Sequence, residues 1–465
     1  MNHKQSNKGI ELTAIPWLRR LLTSRWPQWM TVTGFLAVFI YSIAAGFLGT
    51  EVGSRNLAIT LIWIAWWGLL ILILVPLGGR FWCSVCPIPA PGEMLQRGGV
   101  LQPDGRHPRG LGIRWPRRFR NLWLQNIGFL SLAIFSAVIL TQPKISAAVL
   151  LVLLALALGI SAVFERRSFC RYLCPVGGFI GIYSLLSPLA LRVKDPEVCR
   201  THPTKDCYRG NEHGHGCPWM TYPGTLDRNA ECGLCMECLR TCPLDNVSLI
   251  IRTSGTDLTP KTQRPPLRMD EAFKGFIMLA AALLYSIVLL GPWGEFKLAA
   301  FNVGSLPWLA YAGALLLLSL IILPALYLMG SGVSHLLSPD KSISLRNRFI
   351  HSTTGLVPLG LGAWVAFSLS LFLINGSYIP ITLSDPLGWG WNLLGTASTS
   401  WTPMISGWIP TLQSIVLFVG LASATSISVK SLKGSTTLST RSLLAMTPTL
   451  LVNASMTGFL LWVLV

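Results

Sequence analysis

Long apolar stretches separated by polar, basic intervals dominate the chain. Their length suits a membrane better than a soluble core. A helix needs roughly 20 apolar residues to cross about 30 Å of hydrocarbon. Nine stretches meet that need, at 30–49, 57–78, 122–141, 147–164, 273–293, 304–330, 351–375, 407–427 and 443–465. Gly, Ser and Thr dilute the last of them. The pattern predicts an all-α polytopic membrane protein with about nine transmembrane helices. One long polar interval, 165–271, is rich in Cys, Pro and Gly, and it predicts a small folded insert with little apolar core of its own.

Composition agrees: of 465 residues, 51% are hydrophobic and only 12% charged, a balance that does not suit a soluble chain of this length. The formal charge of +18 raises the question of nucleic acid. Its distribution answers that, because the basic residues flank the apolar stretches and form no separate binding domain. With the N-terminus inside, the alternating loops place 34 of the 37 Lys and Arg on one side. Only Arg55, Lys144 and Lys297 fall on the other. The positive-inside rule then predicts a bacterial cytoplasmic (inner) membrane protein with the N-terminus and the polar insert cytoplasmic and the C-terminus outside. The N-terminal residues are polar and basic, and the first apolar stretch is long enough to span. We therefore expect an uncleaved first helix, with Arg19-Arg20 as its anchor rather than an export signal.

The insert carries the chemistry. Cys232, Cys235, Cys238 and Cys242 follow the spacing C-x2-C-x2-C-x3-C-P, closed by Pro243. Three thiolates at steps of three on a short loop converge on three irons of a [4Fe-4S] cube, and the cysteine before proline points to a second cluster. Zinc competes less well, because four-cysteine zinc sites use two C-x2-C pairs across a longer loop. All 11 cysteines of the chain lie in or beside such motifs. A disulfide scaffold suits neither the odd count nor the membrane setting.

A repeat closes two of the apolar stretches. Arg80-Phe81-Trp82-Cys83-Ser84-Val85-Cys86-Pro87 ends the second, and Arg167-Ser168-Phe169-Cys170-Arg171-Tyr172-Leu173-Cys174-Pro175 ends the fourth. Each has Arg three residues before the first cysteine and an aromatic just before it. Two hairpins thus deliver Cys83, Cys86, Cys170 and Cys174 to the same membrane face, four thiols being what one further [4Fe-4S] centre needs. Thiol or copper chemistry is the main alternative, since a bare C-x2-C is a common redox motif, and purely structural cysteines are a third reading. The spacings differ by one residue, so the halves are not equivalent.

The insert's other cysteines are Cys199, Cys207 and Cys217. By two-cluster logic Cys217 completes the cube of Cys232, Cys235 and Cys238, while Cys199 and Cys207 join Cys242. That second set lacks one thiolate. His202 stands where a C-x2-C partner of Cys199 would fall, and imidazole can ligate iron. A three-iron cluster and no second cluster remain open. His213 and His215 read as solvated loop residues.

The two Arg-x-aromatic-Cys…Cys-Pro hairpins followed by a ferredoxin run resemble the membrane polyferredoxins (NapH-like, NosR-like and CcoG-like 4Fe-4S binding proteins) over about 30–250. The resemblance implies that Cys83, Cys86, Cys170 and Cys174 take the places of the family's two C-x3-C-P motifs. Cys232, Cys235, Cys238 and Cys242 take those of its ferredoxin motif. The chain departs in its shorter first pair, its irregular second ferredoxin half and five further spans, and nothing resembles the external flavin domain of NosR-like proteins.

The expected organisation is a cytoplasmic segment 1–29, duplicated hairpins 30–190, a ferredoxin-like α+β iron–sulfur domain 191–271 and a five-helix membrane domain 272–465. His335 and His351 lie at inner helix ends, where backbone-bonded histidines are commoner than a bis-histidine haem b or quinone site. Trp389, Trp391 and Trp401 in the external loop suit an interfacial belt. No nucleophile–base pair, phosphate loop or dinucleotide fingerprint appears, so the chain reads as an electron-transfer subunit rather than a stand-alone enzyme. It would relay electrons between a quinol or cytoplasmic donor and a respiratory partner subunit or cytochrome, with lipid around it. The alternative is a copper- or iron-reducing assembly factor for a respiratory enzyme; a transporter with a redox insert ranks third.

Overall fold

The computed structural model describes residues 9–97, 110–259, 266–290, 294–338, 343–433 and 444–465. The expected inner-loop residues Lys4, Lys8, Arg106, Arg109, Lys261, Arg264, Lys341 and Arg441 lie outside these, as do the edges of the stretches 273–293 and 443–465. The protein is mostly helical. Eight helices among the described residues are long and apolar enough to cross a membrane: Trp26–Leu48, Leu57–Gly78, Pro143–Val163, Met269–Leu290, Leu306–Leu337, Leu345–Asn375, Ser406–Lys430 and Thr447–Leu464. It is a multi-pass membrane protein.

The remaining expected stretch, 122–141, differs. It forms the helix Trp123–Ile134 and a short Ser136–Ile139 turn, broken at Phe135, whose φ of −98° and ψ of 9° leave the helical region. The Tyr311 hydroxyl donates to the Ala133 carbonyl at 3.5 Å, beside the break in the helical ladder.

The chain divides into two units. The first draws on the described parts of Met1–Tyr41, Leu74–Gln125 and Leu150–Asp257. Its sheet has the order β1-β3-β2, with β1 Ile10–Glu11, β2 Leu189–Val193 and β3 Val247–Ile251, all antiparallel. Leu189 pairs with Ile251 and Val193 with Val247. Leu191, Val193, Val247 and Leu249 bury their side chains against Cys199, Cys207 and Cys238. This unit holds every cysteine of the chain. The residues before the first long helix belong to it too: β1 extends the sheet, and the helix Pro16–Thr23 is held by Arg240, which donates to the carbonyls of Leu22 (3.2 Å), Thr23 (2.9 Å) and Ser24 (3.3 Å). Those are helix-end carbonyls without helical partners, where a guanidinium is favoured.

The second unit draws on Ser42–Ile73, Asn126–Val149 and the described parts of Leu258–Val465. Its centre is Trp364, fully buried among Trp67, Phe129, Tyr285 and Phe367, with its indole N–H donating to the Met278 carbonyl at 3.0 Å. Lys274 is fully buried in the helix Met269–Leu290, its ammonium 5.3 Å from the Phe129 ring centre. His335 and His351 sit in the last turns of Leu323–Leu337 and Leu345–Ser352.

Candidate iron–sulfur sites

The hairpin cysteines are positioned by helix ends. Pro76 lies in a wide π-helical stretch, Leu70–Gly78, where it lacks an N–H to donate; Gly79 then leaves the helix at φ 58°. The chain runs through the turn Trp82–Val85, which carries Cys83, and extends at Cys86. In the second hairpin the wide turn Phe169–Leu173 carries Cys170, and Cys174 caps the helix Pro175–Tyr183. Its Sγ accepts the Gly177 N–H at 3.2 Å. A Cβ at Gly177 would lie 2.8 Å from the Cys170 carbonyl oxygen, so this helix start requires glycine.

The two hairpins clamp each other. Arg80 donates to the Gly177 carbonyl, beside Cys174, and Arg167 donates to the Cys83 carbonyl. Arg167 also pairs with Glu93 through Nη2 at 2.8 Å. Burial would raise Glu93, but Arg167 and Arg97 outweigh it and hold the carboxyl at about 2. Burial is also the largest influence on the thiols, and it raises all four. They oppose one another's ionisation: Cys170 is further raised by Cys174, Cys86 and Cys83, and Cys174 by Cys83. Four thiols this close cannot be charged together without a cation among them. A coordinated metal reverses that balance and deprotonates them.

The ferredoxin run winds tightly. Leu234 (φ 49°) and Met236 (φ 61°) take left-handed conformations, which turn the N–H groups of Leu234 and Glu237 toward the sulfurs of Cys232 and Cys235. A Cβ on Gly233 would lie 1.8 Å from Trp219 Nε1. Cys217, Cys232, Cys235 and Cys238 line one pocket, whose remaining wall is largely apolar and includes Trp219 and Met236. Four thiols around an apolar pocket are the donor set that a cubane cluster takes. Burial pushes Cys232 up to about 11 and Cys235 to about 12.

The segment 217–219 hangs from the second hairpin. Arg166 Nη1 donates to the Cys217 carbonyl at 2.8 Å, the Arg167 N–H to the Pro218 carbonyl at 3.2 Å, and Arg171 to the Trp219 carbonyl. Arg80 stacks on the Trp219 ring at 4.5 Å and donates to the Ala230 carbonyl. Basic residues that sequence reading assigned to inner loops therefore tie the hairpin thiols to the ferredoxin run. The recurrence of Arg three residues before each first cysteine was the available signal.

A third group comprises Cys199, Cys207 and Cys242. Asn246 serves two of its sulfurs, donating its N–H to Cys242 Sγ at 3.3 Å and Nδ2 to Cys199 Sγ at 3.2 Å. The Tyr222 hydroxyl donates to the Cys199 carbonyl at 2.6 Å. Burial, then Cys199 and Cys207, push that hydroxyl up to about 12. Burial, then Cys242 and Cys199, push Cys207 to about 12 as well. His202 faces another way, its Nε2 3.1 Å from Thr204 Oγ1 at the exposed edge. His213 is exposed beside Glu212, while the His215 N–H donates to Glu237 Oε2 at 3.2 Å. All 11 cysteines are free thiols. Among the described residues no group of three or more His, Cys, Asp or Glu converges tightly enough for a single metal ion.

Residues 59–112 and 146–194 match the family described as 4Fe-4S binding domain. The match takes in Cys83, Cys86, Cys170 and Cys174 and stops short of the ferredoxin run. The chain is also 30% identical over 134 residues to YccM of Escherichia coli (strain K12), provisionally named as an electron transport protein. That similarity covers 28% of this chain and 32% of the relative, so the chain matches about a third of that protein's length. No solved structure matches.

Proposed function

We propose that the protein is an iron–sulfur electron carrier of the bacterial cytoplasmic membrane, relaying electrons between a quinol or cytoplasmic donor and a respiratory partner subunit. The carrying observation is the sorting of every cysteine into three groups within one unit: Cys83, Cys86, Cys170 and Cys174; Cys217, Cys232, Cys235 and Cys238; and Cys199, Cys207 and Cys242. When bound, iron–sulfur clusters supply one-electron carriers. The protein's own groups then do three things. Apolar walls exclude water. N–H donors from Leu234, Glu237, Gly177 and Asn246 point at sulfur, which favours the more negative, reduced state. The buried Arg80 and Arg167 add positive charge beside the hairpin thiols and act in the same direction.

The charge asymmetry supports a cytoplasmic face for all three groups. The mutual influence of the two hairpin pairs supports a double crossing between them, with Trp123–Ile139 as the first arm. At about 1.5 Å per residue that arm is roughly 25 Å long, slightly short of the hydrocarbon thickness. Burial of Cys83, Cys170 and Cys174 weighs against the assembly-factor reading, which needs thiols that a passing ion can reach.

The test is anaerobic purification in detergent, iron and sulfide analysis, and low-temperature EPR after dithionite reduction. Interacting reduced cubane spins are expected. Colourless, iron-free protein refutes the proposal.

A further inference from the structure

We infer that Cys199, Cys207 and Cys242 hold a cluster on three protein thiolates only, and that the corner without a cysteine faces the Tyr222 hydroxyl rather than the His202 ring. The inference rests on the iron–sulfur reading and goes further by assigning the ligand set and lability of one site.

The thiol inventory comes first. Of 11 cysteines, eight form the two four-thiol groups, so no twelfth thiol exists for this site. The three that remain are near one another: Cys199 and Cys207 share one buried cluster, and Cys242 packs against it. Asn246 bridges Cys199 and Cys242 with two N–H donors, as expected for sulfurs that carry negative charge.

Geometry selects the fourth face. Tyr222 packs against the same core as these thiols. Its hydroxyl donates to the Cys199 carbonyl at 2.6 Å, which sets it beside that residue. Gly224 permits this approach, since a Cβ there would lie 2.6 Å from the Tyr222 ring and 2.8 Å from Cys199 Cβ. His202, by contrast, caps the helix Pro196–Thr201 and gives its Nε2 to Thr204 at the exposed edge.

The chemistry follows. A corner iron without a protein thiolate leaves more readily than its three neighbours. Ferricyanide takes one electron from the cube and the corner leaves as ferrous ion, so three irons and four sulfides stay behind. Dithionite returns the electron, and added ferrous iron refills the corner.

The experiment uses the full chain, purified anaerobically and made iron-replete, and follows the spin-doublet EPR signal of an oxidised three-iron cluster. Ferricyanide is expected to produce about one such spin per chain, reversed by dithionite and ferrous iron. Cys207→Ala abolishes the signal while the other clusters keep theirs. His202→Ala leaves it unchanged. Tyr222→Phe alters its line shape and speeds iron loss several-fold, with the other cluster signals reporting an intact fold. Iron-replete protein that gives no ferricyanide-dependent three-iron signal overturns the inference and leaves the carrier reading standing. So does a signal that survives Cys207→Ala, or one that responds to His202→Ala and not to Tyr222→Phe. Iron-free protein overturns the carrier reading itself.

Discussion

Glu93 and Arg167 should behave as one coupled element, and a double-mutant cycle measures it. The Arg167 side chain is 4% exposed and Glu93 15%, so neither is screened by bulk water. Arg167 and Arg97 hold Glu93 at about 2 against the burial that would raise it. Against an ordinary glutamate near about 4.3, the shift corresponds to about 3 kcal/mol of stability at neutral pH, at about 1.4 kcal/mol per unit. The sign follows from the depressed value. The contribution is whole above roughly pH 5 and lost as pH falls from about 4.3 toward about 2. Arg167→Met leaves a buried carboxylate with only Arg97 beside it and frees the Cys83 carbonyl, at an expected cost of about 3–5 kcal/mol. Glu93→Gln keeps the shape but leaves the guanidinium unpaired, at a similar cost. The double variant removes both charges, so its loss should fall short of the sum by about 2–3 kcal/mol. Thermal unfolding of detergent-solubilised protein, followed by the visible cluster absorbance, reads the effect. For a folding unit of this size about 1 kcal/mol moves Tm by roughly 2–4 °C, so each single variant should melt about 6–20 °C lower. Additivity within about 0.5 kcal/mol refutes the coupling and with it the clamp as described.

Four other outcomes follow from the geometry. Gly233→Ala places a Cβ 1.8 Å from Trp219 Nε1, so the ferredoxin loop must shift, at about 1–3 kcal/mol; iron per chain should fall and the Trp219 fluorescence change. Asn246→Leu removes the Nδ2 donor to Cys199 Sγ and keeps the backbone N–H donor to Cys242 Sγ. Redox titration by EPR should show one cluster with a lowered potential and the others unmoved. Cys83→Ala with Cys174→Ala should lose about one cluster's worth of iron, about four atoms per chain; unchanged iron refutes a hairpin cluster. Arg240→Met strips donors from the carbonyls of Leu22, Thr23 and Ser24, so limited proteolysis should open the Pro16–Thr23 helix first, at about 1–3 kcal/mol.

The membrane character was legible because apolar length is a one-dimensional property, and eight of the nine expected stretches form helices of membrane length. The exception is 122–141, which contains no proline and yet breaks at Phe135, where Tyr311 from far along the chain meets the Ala133 carbonyl. Cysteine spacing pointed to iron–sulfur chemistry, and the 4Fe-4S binding domain match over the hairpins agrees. What spacing could not reveal was the second layer. Asn246, Tyr222 and Trp219 carry no motif, and they matter because of what folding places beside them. The N-terminal residues read as a polar lead-in, yet Ile10 and Glu11 pair with Ile251 and Ile250 as a third strand. A two-residue strand is too short to show a period.

The repeat acquires its meaning from the way the halves cross. If each hairpin held its own cysteine pair rigid, the arginine before each first cysteine would serve its own loop. Instead Arg80 holds the carbonyl of Gly177 and Arg167 that of Cys83, each in the other half. Neither pair is fixed until both hairpins are in place, so four thiols are set as one group rather than two. The halves then diverge. The second sends Arg166, the Arg167 backbone and Arg171 to three successive carbonyls, 217 to 219, while the first sends Arg80 onto the Trp219 ring. The extra residue between Cys170 and Cys174 carries that difference, because it forms the wide turn that presents Arg171. Loss of exact equivalence between the hairpins is thus what lets a duplicated membrane element hold one fixed set of thiols and still grip, on one side, the segment that carries Cys217.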